Sequence, residues 1–168
     1  MVKKLMFGGE NFFLGKYSHE NGGTLTFAPS IPGAVEHYNL SNNRLNIMAG
    51  SFLACTPGIN IKAKFGGLKA LFSGEGAFLL EASGNGDLFF NSFGGIIEKE
   101  INGEFIVDTG HVVGFEPTLS YKISGMGNWK STMLSGEGLV MTFNGTGKIY
   151  LQTRTIDGIA SWLTPRLI

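Results

Sequence analysis

Short apolar runs separated by glycine, proline and asparagine fill most of the chain, and they predict β-strands. Apolar and polar residues alternate at 45–48 and 59–62, as in strands that bury one face. Further runs rich in Phe, Ile, Val and Leu lie at 24–27, 88–90, 105–107 and 148–153. Runs about ten residues apart with turn residues between them are typical of an antiparallel sandwich or barrel. The pattern therefore predicts an all-β fold.

The succession of runs is duplicated along the chain. Residues 73–134 follow the pattern of residues 7–72, and the pattern begins again at 135–153. A fixed period indicates an architecture built from repeated units. We therefore expect one β domain over 1–168, in which two similar halves form two similar sheets, with a tail at 154–168.

A Gly-Glu pair marks the start of each copy, at Gly9-Glu10, within 73–76 and within 135–138. One interpretation is a carboxylate cluster of Glu10, Glu75 and Glu137. The other is a structural strand entry, in which glycine supplies unusual backbone angles. Recurrence at equivalent places favours the structural interpretation. The offset between the second and third copies drops by one residue just after the pair, which predicts a β-bulge beside Gly76.

Other parts of the unit recur in the same order. Glycines at 84–86 and 145–147 predict a turn between two apolar runs in each copy. Two further stretches recur, 45–50 as 105–110 and 52–54 as 112–114.

The tail differs from the rest of the chain. Residues 157–163 predict a short C-terminal helix, with Asp157 as its N-cap and Pro165 limiting its extension. Its apolar residues, Trp162 among them, are many for a free terminus. Two interpretations stay open, because such a helix packs either on the core of its own chain or on a neighbouring subunit.

Length, charge and cysteine content narrow the class of protein. A chain of 168 residues with 43% hydrophobic residues suits one domain with a core. Thirteen basic and thirteen acidic residues give a net charge of zero, so a nucleic-acid partner is not expected. A single cysteine excludes an internal disulfide and favours a reducing compartment. No stretch has the length of a membrane span or the pattern of a signal peptide, so we expect a cytoplasmic protein.

Candidate chemistry is sparse. The histidines lack metal-binding spacing, and Asp108 with His111 is the one suggestive group for acid–base or metal chemistry. A polar exposed turn is the alternative there. The sequence predicts no catalytic residue, no cofactor and no metal site. Function is expected where the copies differ, so Asp108, His111, His19 and Trp162 are candidates for a functional surface.

Cys55 lies at the end of an apolar run, between Ala54 and Thr56. A catalytic thiol needs a base and an electropositive setting, and the neighbouring sequence supplies neither. We therefore expect a structural cysteine.

Several motifs together resemble the AIM24 family. They are Ser-Gly-Glu-Gly at 73–76 and 135–138, Gly-Ser-Phe-Leu-Ala at 50–54, Asp-Thr-Gly-His-Val-Val-Gly-Phe at 108–115 and Ile-Ala-Ser-Trp-Leu-Thr-Pro at 159–165. The chain departs from the family pattern at Gly114, where alanine is usual. The resemblance covers nearly the whole chain.

The resemblance implies a double-stranded β-helix-like sandwich of antiparallel strands, related in fold to the tryptophan RNA-binding attenuation protein (TRAP-like). It also implies a homo-oligomer, with a trimer as the first expectation. The family offers no agreed activity and no catalytic residues to carry over. A shared fold does not transfer function, so the RNA-binding relative does not assign a role.

Four functions compete. The leading hypothesis is a non-enzymatic, homo-oligomeric scaffold or assembly protein, because the chain is rich in apolar residues and lacks a polar constellation; a protein partner fits this role. The second is a small-ligand or glycan-binding module with a pocket between sheets or subunits. The third is an enzyme that uses Asp108 and His111. The fourth is RNA binding by analogy of fold.

Overall fold

The computed structural model of the chain describes residues 2–7, 10–64, 79–125 and 139–167. These residues form mostly antiparallel β-structure with one short α-helix. The prediction of an all-β fold with a short C-terminal helix is confirmed. The finer labels, double-stranded β-helix-like and TRAP-like, stay predictions.

The strands fall into a hairpin and two units of four strands with the same element order. The hairpin pairs β1 (Val2–Phe7) with β2 (Glu10–Gly15). The first unit consists of β3 (Val35–Met48), β4 (Phe52–Cys55), β5 (Ile59–Lys64) and β6 (Leu79–Asn91). The second unit consists of β7 (Ile96–Asp108), β8 (Val112–Phe115), β9 (Ser120–Gly125) and β10 (Leu139–Gln152). Short 3-10 turns follow β3 and β7, at Ala49–Ser51 and Thr109–His111, and α1 is Ile156–Leu163.

The two units have the same pairing. In the first unit, β6 pairs with β3 on one side and with β4 and β5 on the other. In the second unit, β10 pairs in the same way with β7, β8 and β9. The expectation of two separate sheets is wrong, because β3 also pairs with β8, at Asn46↔Phe115 and Ile47↔Gly114. This junction joins the units into one eight-stranded sheet.

The predicted glycine turns at 84–86 and 145–147 are not chain reversals. Both stretches lie inside continuous strands, β6 and β10. Gly84 (φ +120°) and Gly145 (φ +129°) have backbone angles that glycine adopts at little cost. The strand therefore continues through a residue that interrupts the apolar pattern.

Two other sequence predictions have different outcomes. Residues 24–27 were predicted as a strand, but they have no regular structure and Leu25 and Phe27 are exposed. Of the three Gly-Glu pairs, only Glu10 is among the described residues, where it begins β2. The pairs at 73–76 and 135–138, and the bulge predicted beside Gly76, lie outside the described residues.

Two apolar clusters form the core, and each takes residues from both units. The first cluster contains Leu40, Ile47 and Phe90 of the first unit with Val113 and Tyr150 of the second. The second cluster contains Phe115, Met141, Phe143 and Ile149 of the second unit with Leu79 of the first. Since each cluster crosses the junction between β3 and β8, neither unit has a complete core alone.

Equivalent segments of the chain also lie side by side near one end of the units. Segment 32–34 bonds to segment 92–95, and segment 92–95 bonds in turn to residues 153–154. The backbone hydrogen bonds are Gly94 N to Pro32 O (3.0 Å), Ser92 N to Ala34 O (3.0 Å), Arg154 N to Phe93 O (3.2 Å) and Thr153 N to Gly95 O (3.0 Å). The second unit therefore begins against the start of the first, and the segment after β10 lies against the start of the second.

The passage of β6 through Gly84 gives a test of the fold. A Cβ at Gly84 would lie 2.3 Å from Gly58 O, and φ is positive there. We expect Gly84→Ala to lower the free energy of unfolding by about 1–3 kcal/mol or more, measured by urea denaturation. Gly50→Ala is the matched control, because a Cβ at Gly50 meets nothing within 4 Å. Equal stability of the two variants would contradict the continuous-strand geometry.

Candidate functional site

A cleft of about 250 Å³ lies between the two 3-10 turns and the start of α1. The first turn contributes Gly50 and Ser51, and the second contributes Thr109 and Gly110. The remaining lining residues are Ile31, Met48, Val112, Gln152, Thr155, Ile156 and Asp157. The cleft therefore lies where the equivalent turns of both units meet the C-terminal segment.

Thr109 is the unusual polar residue of this cleft. Its side chain is buried, with the residue 3% exposed, and Oγ1 has no hydrogen-bond partner among the described residues. A buried hydroxyl without a partner costs free energy, so such a group needs an explanation. The first unit has Ala49 at the equivalent position. The hydroxyl is therefore absent from the first unit, and it belongs to a residue that lines the same cleft as Ser51 and Asp157.

Asp108 and His111 each bond to the backbone around the second turn. Asp108 Oδ1 accepts a hydrogen bond from Gly110 N at 2.7 Å, so the carboxylate caps the turn. His111 Nδ1 lies 2.7 Å from Gln152 O. Gln152 Nε2 in turn donates to Gly110 O at 2.7 Å. These contacts attach the turn to the end of β10, beside the cleft.

The other two candidates lie apart from the cleft. His19 lies in an exposed loop, where Nδ1 accepts a hydrogen bond from Asn21 N at 3.3 Å. Trp162 is 58% exposed on α1, and the Arg166 guanidinium lies 4.3 Å from its ring centroid. The structure thus brings Asp108 and His111 to one turn and leaves His19 and Trp162 on separate surfaces.

The C-terminal helix differs from its prediction in two respects. Thr155, not Asp157, is the N-cap, since Thr155 Oγ1 accepts a hydrogen bond from Gly158 N at 3.0 Å. A threonine just before the helix can place its hydroxyl over the first turn, whereas Asp157 already lies inside that turn. The helix has no buried residue, and Ile156, Ile159, Trp162 and Leu163 are all exposed. Packing on the chain's own core is therefore wrong for this helix.

The central strands carry ion pairs of opposite polarity at equivalent positions. In the first unit, His37 Nε2 lies 2.8 Å from Asp87 Oδ1. In the second unit, Lys148 Nζ donates to Glu98 Oε1 at 2.7 Å, with the acid on the other strand. His37, together with Asn39, lowers the pKa of the Asp87 carboxyl below its usual value. The Glu98 pair raises the pKa of Lys148.

Neither tyrosine at the junction of the units is prepared for proton transfer. The rings of Tyr38 and Tyr150 meet edge to face, with centroids 6.2 Å apart. Burial, followed by nearby glutamates, raises the pKa of both hydroxyls above the usual value. Both side chains are therefore neutral at physiological pH and act as packing groups.

Cys55 is half-buried at the end of β4, and burial raises the pKa of its thiol. A raised pKa reduces the thiolate fraction, so this thiol is a poor nucleophile at neutral pH.

The strand β7 is exposed in a way that its equivalent, β3, is not. Ile106 in β7 is 57% exposed, while Asn46, at the equivalent position of β3, is 5% exposed. Val107 is half-buried, while Ile47 is buried. In the described part of the chain, β7 pairs only with β10, whereas β3 has both β6 and β8 beside it. Sequence analysis missed Ile106, although matching 45–50 to 105–110 already placed an isoleucine opposite an asparagine.

The described residues contain neither a cluster of metal ligands nor a membrane-spanning helix. No group of three or more His, Cys, Asp or Glu in those ranges lies close enough to hold a metal ion. No helix within the same residues has the length and hydropathy to cross a membrane.

Comparison with known proteins finds relatives without an assigned activity. Residues 1–154 match the family model described as "Mitochondrial biogenesis AIM24". An uncharacterized protein of Streptococcus pyogenes serotype M6 is 31% identical over 165 residues, covering 96% of this chain and 66% of that protein. An X-ray crystal structure of a Streptococcus pyogenes protein has a similar fold (TM-score 0.72, 30% identity), covering 83% of this chain and 62% of that one. The chain thus spans about two thirds of the length of these two relatives.

The unpartnered hydroxyl of Thr109 gives a test of the cleft. Thr109→Val replaces the hydroxyl with a methyl group of similar shape. We expect the free energy of unfolding to rise by about 1–3 kcal/mol, because a buried unsatisfied group is removed. Thr109→Ser, which keeps the hydroxyl and loses the methyl, is the control and is expected to lose about 1 kcal/mol. A loss of stability in Thr109→Val would mean that the hydroxyl is bonded in solution.

Proposed function

The chain belongs to the AIM24 family, as its motifs predicted, and on that premise we propose that it is a non-enzymatic, homo-oligomeric assembly protein. The observation that carries the proposal is the exposed end of β7. In the first unit, β8 of the second unit pairs with the same end of β3. By the similarity of the two units, we expect another strand to pair with this end of β7. A second copy of the chain supplies such a strand.

The exposed residues have the chemistry of an interface. Ile106 is a large apolar side chain on an edge strand, and Val140 and Thr142 of β10 lie beside it on the same part of the sheet. Exposed edges are pairing sites that monomeric proteins usually block with charges, proline or bulges. The apolar face of α1 adds a second surface, on which Ile156, Ile159 and Trp162 are exposed in the described part of the chain. Both features support self-association.

The candidate polar residues support a structural role over catalysis. Asp108 and His111 are both engaged with backbone groups of the turn. The cysteine is half-buried, and its thiol has a raised pKa. We infer that Asp108 and His111 hold the second turn in place while the surface carries the function.

A trimer is the state that we propose for the oligomer, following the family resemblance. Each copy would present one exposed β7 edge and would cover that of a neighbour, which is a head-to-tail arrangement. Such interfaces close into rings when the rotation per copy divides the circle evenly. A cytoplasmic location is proposed from the single cysteine and stays a prediction.

The second candidate function is the binding of a small ligand in the cleft. The supporting observation is the Thr109 hydroxyl, buried beside a cleft lined by Met48, Val112 and Ile156. A mostly apolar cleft with few polar groups is the usual form of a small-molecule site. Its volume of about 250 Å³ suits a small molecule rather than a glycan chain. Binding of RNA stays a hypothesis by analogy of fold.

Light scattering tests the assembly. We expect the wild-type protein to have about three times its monomer mass of 18.0 kDa at micromolar concentration. Ile106→Asp places a carboxylate in the proposed interface, where its desolvation opposes association, and is expected to give the monomer.

Ile97→Asp is the matched control for this test. Ile97 is on the same strand and 50% exposed, and it pairs with Leu151 as Glu36 pairs with Phe90, outside the pairing of β3 with β8. The control is expected to keep the wild-type mass. A wild-type monomer, or an Ile106→Asp variant of unchanged mass, would overturn the proposal.

Native mass spectrometry tests the ligand candidate. We expect wild-type protein to retain a small molecule that Thr109→Val loses, because the variant lacks the hydroxyl that would bond it. Thr146→Val is the control, since Thr146 Oγ1 donates to Asn102 Oδ1 and neither residue lines the cleft. Identical spectra for all three proteins would remove this candidate.

A further inference from the structure

The internal junction between the two units specifies how a second copy would bind. In that junction, β8 lies between β10 of its own unit and β3 of the other. Its four residues are all buried. The equivalent strand of the first unit, β4, pairs only with β6 in the described part of the chain, and most of its residues are half-buried. The outer edges of β4 and β7 are therefore the two halves of one junction that the described residues of a single copy leave open.

We propose that β4 of one copy pairs antiparallel with β7 of the next, in the register of the internal junction. The inference rests on the proposed oligomer and names its contact surface. Internally, Asn46 lies opposite Phe115, and Ile47 lies opposite Gly114. Residues 105–110 correspond to 45–50, and residues 54–55 pair with β6 as residues 114–115 pair with β10, so both pairs have equivalents at the junction between copies. Ile106 then lies opposite Cys55 of the neighbour, and Val107 opposite Ala54.

The burial of the matched residues agrees with this assignment on both sides. Internally, Asn46 is 5% exposed and Phe115 is fully buried. At the open junction, Ile106 is exposed and Cys55 is half-buried. The pair Ile106 and Cys55 is apolar, and pairing would bury it as the internal pair is buried. The Leu79 side chain extends the internal contact into the second cluster, and its counterpart Val140 is available for the same contact.

The distance between the paired strands must differ between the two junctions, because Gly114 is replaced by Ala54. A Cβ at Gly114 would lie 2.8 Å from Asn46 O, so β8 approaches β3 closely. Ala54 occupies the equivalent position and carries that Cβ. The junction between copies must therefore be a few tenths of an ångström wider than the internal one. A neighbouring chain can make this adjustment more easily than two strands held by one core.

Alternative occupants of the β7 edge are weaker. Two β7 strands pairing with each other would leave the β4 edge open in both copies. A foreign strand would cover β7 and would also leave β4 open. Only the pairing of β7 with β4 completes both edges with one contact.

Cysteine cross-linking tests the register. The chain has a single cysteine, so wild-type protein provides one thiol per copy. Ile106→Cys would place a second thiol directly opposite Cys55 of the neighbour, within the range that a disulfide spans. Diamide, added as the oxidant, accepts the two electrons and two protons of each pair of thiols. We expect denaturing gels to shift from the 18.0 kDa monomer to a ladder of covalent multimers that reductant reverses.

Two variants distinguish the outcomes. Ile97→Cys, at a similarly exposed site on the same strand, is expected to stay monomeric on the gel. Ile106→Cys combined with Cys55→Ser is also expected to stay monomeric, because the partner thiol is gone. Cross-linking that persists in the double variant would mean that two β7 strands pair with each other, and it would overturn the proposal.

Light scattering on the reduced proteins separates this inference from the proposed function. Oligomers that fail to cross-link through Ile106→Cys would overturn the register and leave the assembly proposal intact. A reduced wild-type monomer would overturn both. An Ile106→Cys variant that keeps the wild-type mass and forms the ladder supports both.

Discussion

The pairing of β3 with β8 is the contact on which the rest of the structure depends. Only two residue pairs form it, yet both apolar clusters of the core extend across it. Each unit alone would expose a face of its own core, because Val113 and Tyr150 complete the first cluster and Leu79 completes the second. Duplication therefore does more than lengthen the chain: it gives each unit a partner that covers its apolar surface. The same logic leaves the two outer edges, β4 and β7, without a cover in the described chain.

Much of the fold could be predicted from the sequence, because alternation and turn residues are local signals. The recurrence of 45–50 as 105–110 placed equivalent strands correctly. The turns predicted at 84–86 and 145–147 were wrong, because glycine with positive φ also occurs inside a continuous strand. The number of sheets was also missed, because β3 and β8 pair across distant parts of the sequence and no local pattern records that.

The candidate site was predicted in part. Asp108 and His111 were identified because they break the repeat, and they do hold the turn beside the cleft. Thr109, between them, has the more unusual environment, and its only sequence signal was the change from Ala49. The environment of this hydroxyl is formed by residues that are distant in the sequence, such as Ile31 and Asp157. Their proximity in space cannot be read from a single sequence. The exposure of α1 was likewise beyond the sequence, since an apolar stripe on a helix indicates a partner without saying which one.

The polar and apolar residues at the equivalent ends of β3 and β7 support the proposed self-association. A monomer gains most by placing its apolar residue at the covered position and its polar residue at the exposed one. Here the arrangement is reversed. Asn46 is covered, with its Oδ1 lacking a hydrogen-bond partner among the described residues, and Ile106 is exposed. Another part of the β7 edge carries exposed charged residues, which oppose pairing with a further strand as in monomeric proteins: Glu98, Lys99 and Glu100. The end that carries Ile106 also has exposed charges, Glu104 and Asp108, so the reversed polarity of Asn46 and Ile106 is the feature that favours a covered edge.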